Sequence, residues 1–468
     1  MTTLTTLQAP RALRQGGCWW PAVRWAGLAS MVGPFSLLGC SLLEGSVQPL
    51  PAGEQNPSFY NTPAGALELR NMAIVQIQSE LPSYLINTGL LTDELQTAAT
   101  GQSSEGPSTG LDARVLPTGF STGADGDYSG LQAVRGSTNQ AIGTLATYDS
   151  AAPPALRGEL YALQGYAEIL LADFFCSGVP LSTLDYQKIY TYHASSTTAQ
   201  VYQDALAQET TALALTSDSA RLQNLARVLQ GRALLALDSV AAAAQAVAAV
   251  PDGFQYQLAI DFRYVNGQID ANGSYNLGLI QADNATMSDR EGENGLAYIS
   301  SQDPRTSNFQ SYTSSGTTII QLDISNKYGI GGFTPFTVAD WIEARLIQAE
   351  AALRANPNDP TWLTLLNRLR ETATVPGQTT TPMTDLTDPG NSPGDTARIA
   401  LLFRERAYWL YLTGHRQGDL RRLIRQYGPL RQDQVYPTGP TYGTDVDAPI
   451  PQAELDNPLF HGCLDRNA

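Results

Sequence analysis

The sequence predicts an all-α fold, namely a TPR-like (tetratricopeptide-like) helical-repeat body that carries an irregular insertion of loops and short strands. Apolar residues recur at helical spacing in several long segments. Small residues lie beside the apolar row of the clearest segment, where a second helix can approach closely. From about 251 to 336 this pattern gives way to Gly, Asn, Asp, Ser and Thr. The strict 34-residue repeat consensus is absent, so the prediction concerns architecture.

The first 39 residues have the parts of a secretory signal. They contain three arginines and no acidic residue, and an apolar run from Trp25 to Leu38 leads into Gly39-Cys40. This run is shorter than the roughly 20 apolar residues that a membrane-spanning helix needs. A cysteine at the cleavage point resembles a bacterial lipobox, which predicts a lipid attached to Cys40. An ordinary signal peptide, with Cys40 incidental, is the alternative.

The charge of the chain limits its partners. The formal net charge is −16, and it becomes −19 once residues 1–39 and their three arginines are removed. Such an acidic body argues against nucleic acid and against bare anionic lipid as partners. We therefore expect contact with the membrane through the lipid anchor alone. Residues 40–57, rich in Pro, Gly, Ser and Gln, predict a flexible lipidated stalk, and 58–468 predict one domain.

Two cysteines remain beyond Cys40, namely Cys176 and Cys463. They lie far apart in sequence and outside any metal-ligand spacing. In an exported protein an even pair predicts a disulfide, because the compartment is oxidising. Two unpaired thiols are the alternative.

The first half of the chain predicts the helical body. Thr62 can cap a first helix, and Pro63 suits its first turn. Apolar spacing then predicts helices at about 131–148 and 156–175, and two more within 198–250 that separate near 216–219. In the 156–175 helix, Gly158, Ala162 and Gly165 would permit close packing.

Helices return after the insertion. Within 251–336 the one strand-like run is Thr317–Asp323. Helical spacing resumes at 338–355, 361–372, 397–413 and 415–427, with a Pro/Thr/Gly-rich loop at 375–395. The proline-rich tail, 429–468, predicts extended chain.

Five stretches, taken together and in this order, resemble the SusD/RagB family of outer-membrane nutrient-uptake lipoproteins. They include a helix ending in Ala-Glu-Ala, a Leu-Asn-x-x-Arg run, and an Arg-rich block around Gly-His-Arg. The stretches are Gly178–Leu181, Trp341–Ala351, Leu366–Arg370, Glu405–Arg422 and Pro449–Pro458. The resemblance spans nearly all of the chain after Cys40 and implies a SusD-like fold.

The chain departs from the family pattern in the Arg-rich block. The family usually has Glu where this chain has Trp409 and Thr413, and an aromatic residue where it has Gln417. We therefore expect Trp409 to pack in the core and the chain to be a divergent member.

Charged residues in the later helices predict ion pairs. Glu343 and Glu350 are seven residues apart on one helix, so they share a face. Arg406, Arg416 and Asp419 lie on the later helices. Because buried carboxylates need partners and arginine supplies them, we predict a structural lattice of ion pairs between stacked helices. A catalytic acid–base set is the alternative.

No catalytic, metal-binding or cofactor motif stands out. The chain has three histidines without accompanying ligands, and it lacks phosphate-binding, dinucleotide-binding and nucleophile-elbow motifs. Asp125–Gly130 imitates the opening of a calcium loop, but Gly136 stands where the bidentate Glu would be. We expect no cofactor and no metal, although a calcium ion at this turn stays open.

Aromatic residues in loops are the expected ligand contacts, since sugar rings stack on aromatic planes. Tyrosines crowd the loop after Leu181, and more aromatic residues, among them Tyr312, Phe333 and Phe336, occupy the insertion. The selected ligand-binding candidates are Tyr186, Tyr190, Tyr192, Tyr298, Phe309 and Tyr328. Each alone could instead be a packing residue.

The resemblance implies a function. It implies capture of an oligomeric nutrient, most often an oligosaccharide, at the outer membrane, and delivery to a SusC-type TonB-dependent β-barrel transporter. No bond would be broken. Two alternatives remain at this point, an exported helical glycoside hydrolase and a TPR-like envelope scaffold that binds proteins.

Overall fold

Helices form most of the chain, close to where the sequence predicts them. The computed structural model describes residues 57–97, 107–118, 123–261, 264–265, 268–269, 285–315, 318–328, 333–374, 382–390, 392–428 and 430–467. The helices are α1 (Pro63–Leu91), α2 (Pro107–Asp112), α3 (Asp125–Tyr148), α4 (Pro154–Phe174), α5 (Thr198–Leu215), α6 (Ala220–Ala236), α7 (Val240–Ala246), α8 (Trp341–Ala355), α9 (Thr361–Thr372), α10 (Thr396–Trp409), α11 (His415–Gln426) and α12 (Gln432–Val435). The predicted signal segment, Cys40 and the stalk as far as residue 56 lie outside the described residues.

Local sequence fixes where these helices begin. The Thr62 hydroxyl accepts a hydrogen bond from the Gly65 N–H at 3.1 Å, and Pro63 opens α1. Helix α8 starts three residues later than predicted, at Trp341, because the Asp340 carboxylate caps it by accepting from the Glu343 N–H.

Apart from the short α2, which contacts α1, successive helices pack side by side from α1 to α9, as a helical-repeat body requires. The small residues of α4 lie where α5 crosses it. A Cβ atom placed on Gly158 would lie 2.5 Å from Thr216 Cγ2, and one on Gly165 would lie 3.1 Å from the Ala205 carbonyl oxygen. Larger side chains would therefore push the two helices apart, so the predicted close approach is confirmed.

The strands form two-stranded antiparallel pairs. The strands are β1 (Leu95–Thr97), β2 (Val179–Pro180), β3 (Thr183–Leu184), β4 (Tyr190–Thr191), β5 (Ser195–Ser196), β6 (Gln255–Asp261), β7 (Tyr264–Val265), β8 (Gln268–Ile269), β9 (Ala285–Met287), β10 (Asn308–Ser315), β11 (Thr318–Ser325) and β12 (Phe333–Asp340). Strand β6 pairs with β12, with Asp261 opposite Phe333. The two ends of the insertion therefore meet beside the helical body.

The insertion contains more sheet than the sequence predicts. Thr318–Asp323 of the strand-like run lies in β11, and β11 pairs over eight residues with β10, which the sequence did not predict. Polar residues dominate β10, so its apolar pattern is weak even though its alternation is regular.

The C-terminal tail is fastened to the end of α4. Cys176 and Cys463 form a disulfide, as predicted, across a sequence separation of 287 residues. The Cys176 N–H also donates to the Ala448 carbonyl at 2.9 Å, and the Leu464 N–H donates to the Ser177 carbonyl at 2.6 Å. The tail is thus bonded to the helical body, but it is only partly extended as predicted, because it contains α12 and a 3-10 helix at Gln452–Asp456.

The described helices include none that combines the length and the apolarity needed to cross a bilayer.

Candidate functional site

A polar cavity of about 420 Å³ opens at the base of the β10–β11 hairpin. Amide and carboxylate side chains dominate its wall. It is lined by Ile299, Gln302, Asp303, Thr306, Ser307, Asn308, Gln310 and Asp323. Such a wall offers both donors and acceptors, which is what a hydroxyl-rich ligand needs.

One wall of the cavity is a short turn, Pro304–Thr306, that Arg305 fixes to the helical body. The Arg305 guanidinium binds the Asp303 carboxylate at 2.7 and 2.8 Å and the Glu405 carboxylate at 2.6 Å. The Arg305 side chain is 2% exposed, so it serves as an anchor beneath the cavity. Next to this turn, Gln302 has a left-handed φ of 53°, which is uncommon for a residue other than glycine.

The other wall is one face of the hairpin. Alternate residues of a strand share a face, so Asn308, Gln310 and Tyr312 lie together. The register places Asp323 opposite Gln310, and Gln321 opposite Tyr312. Tyr312 is 62% exposed. The cavity wall therefore continues outward into an exposed aromatic ring. A sugar bound here would stack one face of its ring on Tyr312, and its hydroxyl groups would form hydrogen bonds with the cavity wall.

Two neighbours hold Asp323 in place. Its backbone N–H donates to Thr286 Oγ1 at 2.8 Å, and the Thr286 hydroxyl donates back to the Asp323 carbonyl at 3.2 Å. Its Oδ1 accepts from Asn308 Nδ2 at 2.8 Å. The carboxylate is thus oriented before any ligand arrives, which lowers the entropic cost of binding.

Asp303 is held in its ionised form. Burial alone would raise the pKa of this carboxyl group, but the hydrogen bonds and the charge of Arg305 outweigh it and keep the pKa below its usual value. The group is therefore an acceptor at neutral pH.

The predicted aromatic candidates occupy different surroundings. Tyr298 is fully buried, with its ring centroid 5.4 Å from that of Tyr408 and 4.8 Å from that of Tyr411. Phe309 lies on β10 between Asn308 and Gln310, so it points to the hairpin face away from the cavity. Tyr328 ends a short 3-10 helix, and its side chain lies outside the described residues.

The three tyrosines after Leu181 lie on the small β3–β4 hairpin, which packs along α3. Tyr190 and Tyr192 are 51% and 42% exposed, with ring centroids 4.8 Å apart. Tyr186 packs edge-on against Tyr148 of α3. They form a second aromatic surface on an element separate from the β10–β11 hairpin.

The five charged residues of the predicted lattice are all buried and paired. Glu343 binds Arg232 at 2.6 and 2.7 Å, and Glu350 binds Arg422 at 2.6 and 3.1 Å. Asp419 accepts from Arg406 at 2.8 and 2.9 Å and from Arg422 at 2.9 Å. Arg416 binds Asp93. These pairs join α8 to α6 and α11, which is the arrangement that the predicted structural role requires.

Electrostatics agrees with this role. Burial would raise the pKa of Glu343, but the charges of Arg232 and His415 outweigh burial and lower the pKa to about 2. The Asp419 carboxyl is also buried, yet Arg406 and Arg422 lower its pKa well below the usual range. Both groups are locked as anions, whereas a general acid needs a raised pKa.

Trp409 is buried, as expected for its departure from the family pattern. The Arg305 guanidinium lies 5.0 Å from the Trp409 ring centroid while it binds Glu405. A cation–aromatic contact therefore occupies the position at which the family usually carries an acid.

Within the described part of the chain, no group of three or more His, Cys, Asp or Glu side chains is arranged to hold a metal ion. The Asp125–Gly130 turn is the start of α3.

Sequence reasoning passed over Gln302, Asn308, Gln310 and Asp323. A usable signal existed in β10, where Asn308, Gln310 and Tyr312 alternate with period two. Their meeting with Gln302 depends on the Arg305 anchor to Glu405, a contact between residues 100 positions apart.

Comparison with solved structures identifies the fold. A SusD superfamily protein from Bacteroides vulgatus superposes with a TM-score of 0.58 at 16% identity, covering 87% of this chain and 99% of that protein. Surface glycan-binding protein A from Bacteroides thetaiotaomicron gives 0.57 at 12% identity, covering 87% and 100%. A laminarin-binding SusD-like protein gives 0.52 at 15% identity, covering 84% and 98%.

The architecture thus defines a helical-repeat protein with the SusD fold. This chain is a divergent SusD-like protein in its fold, as the resemblance implied. No protein-family model and no curated protein matches the sequence.

Proposed function

We propose that this protein is an outer-membrane surface lipoprotein, anchored through a lipid on Cys40, that binds an oligosaccharide and delivers it to a SusC-type TonB-dependent β-barrel transporter. The observation that carries the binding role is the polar cavity that continues into the exposed ring of Tyr312. The SusD fold supports it, since one protein of similar structure is a surface glycan-binding protein and another binds laminarin.

In this proposal the protein binds the glycan and does not hydrolyse it. A glycoside hydrolase needs two carboxyl groups at its cleavage point, one of them kept protonated as the acid. Asp303, one of the two carboxyl groups lining the cavity, is bound to Arg305 and has a lowered pKa. It is therefore suited to accept hydrogen bonds rather than to donate a proton.

Affinity electrophoresis through gels that contain single polysaccharides tests the binding role. We expect at least one neutral glycan to slow the protein, and Tyr312→Ala to restore its mobility. Tyr60→Ala, outside the cavity on the segment before α1, is the matched control. A protein that migrates unchanged in every glycan gel would instead favour the protein-binding scaffold.

Incubation with the retained glycan tests the absence of catalysis. We expect the reducing-end concentration to stay at the level of a protein-free control. A steady rise that survives further purification would replace the binding role with a hydrolase.

A pull-down from detergent-solubilised membranes of the native cell tests delivery. We expect a large β-barrel protein to co-purify in near-equal amount. Cys40→Ser should abolish incorporation of labelled fatty acid and release the protein from the membrane fraction. An unaccompanied monomer in mild detergent would contradict the partnership.

A further inference from the structure

We infer that the cavity selects uncharged or amine-bearing sugars and rejects acidic ones, with Asp323 as the specificity-determining residue. This inference rests on the proposed function and adds the chemical class of the ligand.

The charges around the cavity have one sign. Among the described residues that line it, Asp303 and Asp323 carry negative charge and no side chain is basic. The chain as a whole is acidic, with a formal charge of −16. A uronate or a sulfated sugar would bring a further negative charge close to two carboxylates, which is unfavourable at the low effective dielectric of a partly enclosed site.

The nearest cation is already committed. Arg305 lies under the turn, but its guanidinium is shared between Asp303 and Glu405. Arg370 also binds Glu405, at 3.0 Å. Freeing Arg305 for an acidic sugar would break its ion pairs with both Asp303 and Glu405, and that cost opposes the exchange.

Asp323 is the carboxylate that can meet a ligand. Only its Oδ1 takes part in a hydrogen bond within the described chain, to Asn308. Its Oδ2 is therefore available to accept from sugar hydroxyl or ammonium groups, while Gln310 stands opposite it with an amide. Charged acceptors form stronger hydrogen bonds than neutral ones, so this group discriminates by charge.

The test compares glycans that differ in charge alone. Polygalacturonate and alginate are each paired with their carboxyl-reduced forms, and neutral laminarin and chitosan oligosaccharides complete the set. Binding of the full-length protein in detergent is measured by affinity electrophoresis and calorimetry. We expect retention by neutral or amine-bearing members, and weaker retention by each acidic polymer than by its carboxyl-reduced form.

Asp323→Asn should weaken binding of the retained neutral glycan about tenfold or more, the effect of losing a charged hydrogen-bond acceptor. The same variant should also reduce the difference in retention between each acidic polymer and its carboxyl-reduced form. Asp456→Asn removes the same charge from the exposed C-terminal 3-10 helix and should leave binding unchanged.

The outcomes separate the two claims. Equal or stronger retention by an acidic polymer than by its reduced form overturns the charge selectivity and leaves glycan binding intact. Equal effects of the two Asn variants overturn the role of Asp323. Failure of every glycan to bind overturns the proposed function, and the selectivity with it.

Discussion

Arg416 donates two hydrogen bonds to the carboxylate of Asp93, at 2.6 and 2.8 Å, and both residues are buried. Arg416 is the second residue of α11, whereas Asp93 lies just after α1, 323 positions earlier. Asp93 also accepts from the Leu296 N–H at 3.0 Å. Asp93 thus links the end of α1 to α11 through the ion pair and to the insertion through the Leu296 hydrogen bond.

Arg416→Ala should destabilise the protein by about 3–5 kcal/mol, because it leaves Asp93 buried without its countercharge. Urea unfolding followed by circular dichroism measures the change. The double variant Arg416→Met with Asp93→Leu should recover much of the loss, since no charge is then buried alone. Arg431→Ala breaks an exposed pair and should match the wild type. A stable Arg416→Ala protein would show that the pair is dispensable.

Reduction of the Cys176–Cys463 disulfide should lower stability by about 2–5 kcal/mol, the usual range for a native disulfide. Thermal unfolding with and without reductant measures this, and Cys176→Ser with Cys463→Ser should reproduce the reduced protein. Mass spectrometry of the unreduced protein should detect the linked peptides. Two free thiols in the protein isolated without reductant would contradict the bond.

Glu209→Gln should stabilise the protein at alkaline pH. Neither carboxylate oxygen of Glu209 has a hydrogen-bond partner in the described chain, and burial together with the charge of Glu168 raises its pKa well above the usual value. The pKa of this carboxyl group is lower in the unfolded chain. The stability that Glu209 contributes is therefore fully present below the unfolded-state pKa and is lost as pH rises through the folded-state pKa.

The variant keeps the shape of Glu209 without ionising, so it should gain on the order of 1 kcal/mol at pH 8 and much less at pH 5. Chemical unfolding across this pH range measures the difference. Glu371→Gln, at an exposed position on α9, serves as the control. Parallel pH profiles for wild type and Glu209→Gln would rule out the effect.

Tyr312→Ala should weaken glycan binding by roughly 0.5–1.5 kcal/mol, the contribution expected of a stacked aromatic ring. Its unfolding midpoint should stay within the wild-type error, because the ring is 62% exposed. The comparison is the pair Tyr190→Ala and Tyr192→Ala, on the β3–β4 hairpin. Calorimetry with the retained glycan measures the affinity of each variant. Loss of affinity in the Tyr190→Ala and Tyr192→Ala variants alone would assign the ligand to the β3–β4 hairpin.

The sequence predicts the helical body well because its signals are local. Thr62, Pro63 and the leucines of α4 act over one or two helical turns, and the helices form accordingly. The disulfide could also be predicted from the sequence, because an oxidising compartment was expected and only two cysteines follow Cys40.

The cavity was harder to predict. Gln302 and Asp323 meet only because Arg305 reaches Glu405 and Thr286 bridges the backbone of Asp323. Such contacts join distant parts of the chain and leave no periodic trace in the sequence. The aromatic candidates show the same limit, since exposed Tyr312 and buried Tyr298 both belong to the insertion and differ only in their tertiary surroundings.

The pairing of β6 with β12 allows the sequence of the insertion to vary while the helical body keeps its structure. Asp261 and Phe333 stand opposite each other in the ladder, so the chain leaves the helical body and returns to it within about 5 Å. The chain between these points can change in length at small entropic cost, because loop closure depends only weakly on length, provided that the contacts of Arg305 with Glu405 and of Leu296 with Asp93 are kept. A graft between these two residues could therefore give the same body a new ligand preference.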